Sequence, residues 1–182
     1  MNISLEQGGD IEFAKKCQKI YDHFTSMRSI VIDAALNIEN FLTAVILHFL
    51  VGTDYSRHRL LREFVMDAEF CSFMQKRKML SMMFEVFPNI SKALSADEGK
   101  DLRRRINDLI LARDMFAHGD ICIDAEADKV IIEYYRAGKK QKEIDSDMVS
   151  EIIESSRVIG EKLAKLNEYF RENKFERPED ES

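Results

Sequence analysis

The 182-residue chain has no tryptophan, two prolines and only seven glycines. So few turn-forming residues argue against an all-β design of many tight turns and favour long, uninterrupted helices. Cysteine is also scarce. Cys17, Cys71 and Cys122 are widely spaced, show no CxxC pairing and follow no signal-like apolar run after the opening "MNISLEQGGD", a pattern that points to a reducing, cytoplasmic compartment. The most apolar stretch, 30–51, contains Asp33, Asn37, Glu39, Asn40 and His48, each costly in hydrocarbon, so no membrane span is expected. Glycine-rich phosphate loops, HExxH and GxSxG are absent, and His23, His48 and His58 lack metal-ligand spacing with the cysteines. Neither a cofactor nor a metal is expected.

What is present is apolar residue, 45% of the chain, enough to close one core. The size suits a single domain over 1–182, with an ordered core over 10–170 and an acidic flexible tail over 171–182. The formal charge is -6, which opposes generic binding of polyanions. Its distribution is uneven. Residues 55–113 hold twelve Lys or Arg against eight Asp or Glu, a local excess of +4 that leaves -10 elsewhere. Arg57, Arg59 and Arg62, then Lys76, Arg77 and Lys78, then Arg103, Arg104 and Arg105 supply it. Such runs are commonly solvated helix faces.

Apolar positions step by threes and fours from Phe13 to Phe49, the period of an amphipathic helix. "TSMRS" at 25–29 is the one plausible break, which predicts a first helix over about 11–24, N-capped by Asp10, and a second over about 26–50. "GTD" at 52–54 ends one element and caps the next. "SFMQ" at 72–75 and "SADE" at 95–98 have capping-box spacing, and Pro88 stops the helix between them. After Gly119 the segments "ICI" and "VIIEYY" are β-branched and aromatic, which predicts a small hairpin. A last helix starts near Asp145 or Ser146 and runs through Val149, Ile152, Ile159, Leu163, Leu166 and Phe170.

Two helical wheels single out charged residues. Glu39 falls among Ile32, Leu36, Ile46 and Leu50, where a lone carboxylate is expensive, so it needs a partner. On the helix of 96–118, the stripe Leu102, Ile106, Leu109, Phe116 passes through Arg113. A guanidinium centred there needs a counter-ion. A structural ion pair with Glu39 or Asp33 and a functional role both satisfy that demand. His118, in the last turn before Gly119, reads by itself as a helix cap, with Gly119 in the left-handed C-terminal position. About 140° of rotation and about 7.5 Å of rise separate it from Arg113. The two converge only if the last turn distorts, if Arg113 reaches round, or if a second copy of the helix lies opposite.

"LARDMFAHGD" at 111–120 resembles the Arg-x4-His motif of the HEPN family. The likeness extends to the apolar helix over 26–50, the "SFMQKRKML" helix start and the hairpin, covering residues 10–170. The resemblance implies an all-α fold, an up-and-down bundle of five or six helices with a small β-hairpin after the motif helix. It also implies dimerisation through the motif helices and metal-independent RNA cleavage in toxin, phage-defence or stress systems, with an antitoxin or regulatory protein as partner. Carried over, Arg113 and His118 are the catalytic pair and Asp114 the polar residue beside them. The chain departs from relatives that carry a tyrosine two positions after the histidine: Asp120 stands there, so control by tyrosine modification is not expected.

The residue types suit the chemistry. Histidine, with an ordinary pKa of about 6.5, moves protons near neutral pH. Arginine keeps its charge and its forked donors suit a phosphate and its transition state. His118 is thus the candidate proton-transfer group, Arg113 the phosphate clamp, and Glu39 or Asp114 the orienting carboxylate. Lys76, Arg77, Lys78, Arg103, Arg104 and Arg105 are the candidates for guiding an RNA strand. The competing expectation is a non-catalytic helical dimer that binds a nucleotide, a nucleic acid or a partner protein, in which Arg113 is an interface ion pair and His118 a cap.

Overall fold

A computed structural model describes residues 10–68, 71–135 and 138–172. Five α-helices dominate: α1 (Asp10–Val51), α2 (Tyr55–Leu61), α3 (Phe73–Val86), α4 (Ala96–His118) and α5 (Ser146–Glu172). Three strands, β1 (Asp120–Asp124), β2 (Lys129–Tyr135) and β3 (Lys139–Ile144), form an antiparallel sheet in the order β1-β2-β3. The fold is broadly all-α with a small β insertion. The tail beyond Glu172 lies outside the described residues, as does the Asp10 side chain expected to cap α1.

The expected break at 25–29 is not a break: α1 runs unbroken for 42 residues. The polar hydroxyls that suggested a turn are absorbed by the helix itself. Thr25 Oγ1 donates to Tyr21 O at 2.9 Å and Ser29 Oγ to Thr25 O at 3.1 Å, the back-bonding open to Ser and Thr in a helix. Between them Met27 is buried. By length and composition, Ile11–Val51 could cross a membrane, and 44% of its most apolar window is buried inside the protein.

The chain groups into two compact units, and α1, α4 and α5 each contribute residues to both. The first comprises the described residues of Met1–Asp33 and Ala112–Ile153. Its core is Phe24, Met27 and Val31 of α1, Met115 and Phe116 of α4, Val130 and Ile132 of β2, Ile144 of β3 and Val149 of α5. Register places Ile121 opposite Ile132 and Val130 opposite Ile144, so alternate side chains of β2 face this core. The expected hairpin therefore gains a third strand. β3, "KKQKEI", is exposed until Ile144; it lacks apolar alternation because it is an edge, where lysines blunt further pairing.

The second unit comprises the described residues of Ala34–Leu111 and of Glu154–Ser182. Its buried centre includes Leu42, Val45 and Ile46 of α1, Leu80 and Met83 of α3, Leu102 and Ile106 of α4, and Ile159, Leu163 and Leu166 of α5. The local signals end its elements as expected. Asp54 accepts from Ser56 N and Arg57 N at 3.1 Å, Ser72 and Gln75 form a full capping box, and Ser95 and Glu98 exchange the same pair of bonds. α3 ends at Val86, and a 3-10 turn begins at Pro88.

Candidate functional site

The end of α4 is built by first-unit residues. α4 stays regular to its last residue, with Gly119 N donating to Met115 O at 2.9 Å. Arg28 Nη2 of α1 donates to Ala117 O at 2.5 Å, and Phe24 stacks on Phe116 with ring centroids 6.0 Å apart. An α1 arginine thus serves a terminal carbonyl of α4. His118 is exposed and makes no hydrogen bond to another described residue, so the carbonyl-capping role expected of it belongs instead to Arg28. Gly119 is not left-handed either; the glycines with positive φ among the described residues are Gly52 and Gly138. Glycine is required at 119 by close approach. A Cβ there would collide with Ile132 Cγ2 of β2 and lie 2.6 Å from Met115 O.

Arg113 is not centred in the core. Its side chain is 38% exposed, and Nη1 pairs with Asp114 Oδ1 at 3.1 Å, with Asp114 itself 51% exposed. The partner expected among Glu39 and Asp33 is replaced by its own neighbour. The physical reason lies in the wheel: Leu102, Ile106 and Leu109 belong to the second unit, but the last turns of α4 pack into the first-unit core through Ala112, Met115 and Phe116. That arc is centred about 100° from Arg113, so the stripe extrapolated from 102–109 misplaces it. Regular helix to His118 also removes one route to convergence, the distorted last turn. Arg113 and His118 of one copy diverge by about 140°.

Glu39 has the partner it requires, and it is Lys76. Nζ of Lys76 lies 2.9 Å from Glu39 Oε1, with side-chain exposures of 7% and 20%. Glu39 is therefore engaged in the second-unit core rather than orienting a catalytic histidine, and Lys76 is too buried to touch an RNA strand. Both expectations are corrected. Burial beside this pair pushes the Cys71 thiol up. All three cysteines are free thiols.

The arginine run of α4 divides in two. Asp101 gathers three cations: Lys162 Nζ at 2.6 Å, Arg104 Nη2 at 2.7 Å and Arg105 Nε at 2.8 Å. The hydrogen bond from Lys162, then that from Arg105, holds its carboxyl well below the usual carboxylate range. Arg105 also donates to Ser155 Oγ at 3.2 Å, and Arg104 to Asp108 at 3.3 Å, so much of their charge is matched internally. Arg103 is different. Its Nε donates to Gly99 O at 3.1 Å and its guanidinium lies 5.3 Å above the Phe84 ring. Arg77 is different again, since its Nε is buried with no hydrogen-bond partner. Such an orphaned donor costs about 1–3 kcal/mol. Arg77 and Arg103 line one groove of about 460 Å³ with Lys100, Ser81, Glu85 and Asn107. Lys78 is exposed.

Sequence reasoning missed Arg28 because it lay inside the supposed break. The signal was its spacing: Phe24 and Arg28 are four apart on one helix face, the two residues that hold the end of α4. It also passed over a second-unit histidine pair. His48 Nδ1 shares a 2.8 Å hydrogen bond with Asn167 Oδ1, His58 Nε2 shares one of 2.6 Å with Gly52 O, and the rings lie 4.6 Å apart. Burial lowers the His48 pKa. Among the described residues no cluster of three or more His, Cys, Asp or Glu is placed to hold a metal ion. No protein-family model matches the chain, and no curated protein or solved structure matches it either.

Proposed function

We propose that this protein is an HEPN-like, metal-independent ribonuclease of the cytoplasm, an up-and-down helical bundle acting as a homodimer in a toxin, phage-defence or stress system under an antitoxin or regulatory partner. One observation carries the reading. Two structural tasks expected of Arg113 and His118 are performed by other residues: Lys76 neutralises Glu39, and Arg28 takes the carbonyl of Ala117. The motif side chains are left accessible at the end of a regular helix, with Arg113 tied only to Asp114 among the described residues.

The chemistry follows from the residue types. The 2'-hydroxyl of RNA attacks the adjacent phosphorus, the bond from phosphorus to the 5'-oxygen breaks, and a cyclic 2',3'-phosphate and a 5'-hydroxyl result. His118 takes the 2'-hydroxyl proton and the protonated imidazole supplies one to the leaving oxygen, which closes the proton balance. Arg113 holds the non-bridging oxygens and their growing charge. Asp114, 3.1 Å from Arg113 Nη1, orients the guanidinium. Because one copy splays Arg113 and His118 apart, the working pair comes from two copies, Arg113 of one opposite His118 of the other. The purified chain should cleave an oligoribonucleotide and leave its 2'-deoxy analogue intact. Arg113→Ala and His118→Ala should each abolish cleavage with helical content unchanged; cleavage undiminished in both variants overturns the assignment.

The second reading is a non-catalytic module that binds phosphate-bearing ligands. The Arg77 and Arg103 groove favours it. Retained oligoribonucleotide binding without cleavage, insensitive to His118→Ala, would select it.

A further inference from the structure

Second-unit residues of α3 and α4 form a groove whose charge is incompletely matched. Lys100 lies 3.6 Å from Asp97, and Arg104 is shared between Asp101 and Asp108. Arg77 and Arg103 make no ion pair among the described residues, and Glu85 is the one carboxylate in the lining. Arg103 is held at two places. Gly99 O accepts from its Nε, and the Phe84 ring lies beneath its guanidinium. Phe84 can approach because residue 99 is glycine; a Cβ there would stand 2.7 Å from its ring. This arrangement fixes the plane of the guanidinium and leaves its terminal nitrogens available. Arg77 brings a second guanidinium whose Nε is shut away from water and unbonded.

Two guanidiniums that line one groove, one of them oriented by Gly99 and Phe84 and neither paired with a carboxylate among the described residues, form the donor half of an anion site. We infer that this groove binds a phosphate ester, its oxygens shared between Arg77 and Arg103, with Lys100 adding charge at the rim and Ser81 and Asn107 adding neutral hydrogen-bonding capacity. Paired guanidiniums match tetrahedral phosphate oxygens better than ammonium groups do, because each offers donors in a fixed plane. The ester is either the backbone of a strand or the terminal phosphate of a mononucleotide. The inference does not depend on the end of α4 being catalytic.

The test uses the full chain at fixed ionic strength. Thermal melts and binding titrations are run with inorganic phosphate, AMP and a short oligoribonucleotide, on wild type, Arg77→Met and Arg103→Gln. Phosphate should raise the wild-type Tm relative to chloride, since it binds the folded state, and should leave the Tm of Arg77→Met unmoved. Each variant should weaken AMP or oligonucleotide binding by about tenfold or more. In chloride, Arg77→Met should melt no lower than wild type, because it removes an unsatisfied donor; a marked fall makes Arg77 a structural residue and overturns the inference. Equal binding by all three proteins, or none by any, overturns it as well. Tighter binding of the oligoribonucleotide per phosphate identifies a strand backbone as the source, and tighter binding of AMP identifies a monoester. Loss of phosphate and AMP binding in Arg77→Met and Arg103→Gln is expected whether or not the chain cleaves RNA, which separates failure here from failure of the nuclease reading.

Discussion

Lys76 and Arg113 both lie on the line of their helix's apolar residues, and their surroundings are opposite. Lys76 continues the buried face Phe73, Leu80 and Met83 of α3, and Glu39 meets it in the core. Arg113 stands at the margin of α4, half in solvent, with its own neighbour for a partner. A buried ion pair is a poor source of net stability, because desolvation offsets its attraction, yet breaking one side of it is costly. An exposed pair is worth about 0–1 kcal/mol. A basic side chain in line with apolar residues is therefore locked into a core ion pair in one place and left partly accessible in the other, and the difference is whether a facing element presents a carboxylate.

The largest effect expected from breaking this comparison is kinetic. Removing a positioned proton-transfer group costs about 10²–10⁴-fold in rate, so His118→Ala should lose cleavage on that scale. Arg113→Ala should shift stability by less than about 0.5 kcal/mol, as surface substitutions do. Mixing the two inactive variants gives a sharper outcome. Random exchange of subunits makes half the dimers mixed, each with one intact pair of two, so about a quarter of wild-type activity should return. No recovery after verified exchange would place both working groups in one copy, against the divergence of the regular helix.

Next comes the buried side of the comparison. Glu39→Ala leaves Lys76 unpaired with 7% of its side chain exposed, and should cost about 3 kcal/mol in urea melts. Glu39→Leu with Lys76→Met should restore stability to within about 1 kcal/mol of wild type, or exceed it, if the pair matters only as mutual compensation. Failure of the double variant to recover would show that the pair fixes the packing of α1 and α3 beyond its charge.

How much of this was legible in the sequence depends on the range of the interaction. The caps at Asp54, Ser72 and Ser95 were readable because each bond closes within two or three residues. That Glu39 required a partner was readable from the cost of a lone carboxylate; that Lys76 would supply it, 37 positions away, was not. The wheel of α4 was right over Leu102–Leu109 and wrong at Arg113, because a wheel assumes one core along the whole helix. Thr25 and Ser29 looked like a break since hydroxyls serve turns and helix backs alike. β3 was invisible because an edge strand with one buried residue carries no period-two signal.

A smaller effect tests the scaffold behind the exposed side. Gly119→Ala places a methyl against Ile132 and against the backbone oxygen of Met115, and the carbonyl cannot move without unwinding the last turn. A loss of about 1–3 kcal/mol is expected, measured by thermal melting. If cleavage falls further than stability explains, the sheet also sets the aim of His118; if cleavage is spared, the helix end needs only Arg28 and Phe24.

Asp101 falls between the two extremes, a carboxylate 30% exposed that serves Lys162, Arg105 and Arg104 together. Its folded-state pKa lies below the unfolded value of about 3.9. The folded state therefore holds fewer protons on this group than the unfolded state, and its contribution is fully present above that unfolded value. It declines as pH falls below about 4 toward the depressed folded pKa. Asp101→Asn should cost about 1–2 kcal/mol at pH 7 by leaving part of the cationic cluster unmatched, and the gap between variant and wild type should narrow in urea melts taken from pH 5 down to pH 3. A gap constant across that range would mean that Asp101 acts through shape and neutral hydrogen bonding. It would then resemble neither the compensated pair of the core nor the free pair at the end of α4.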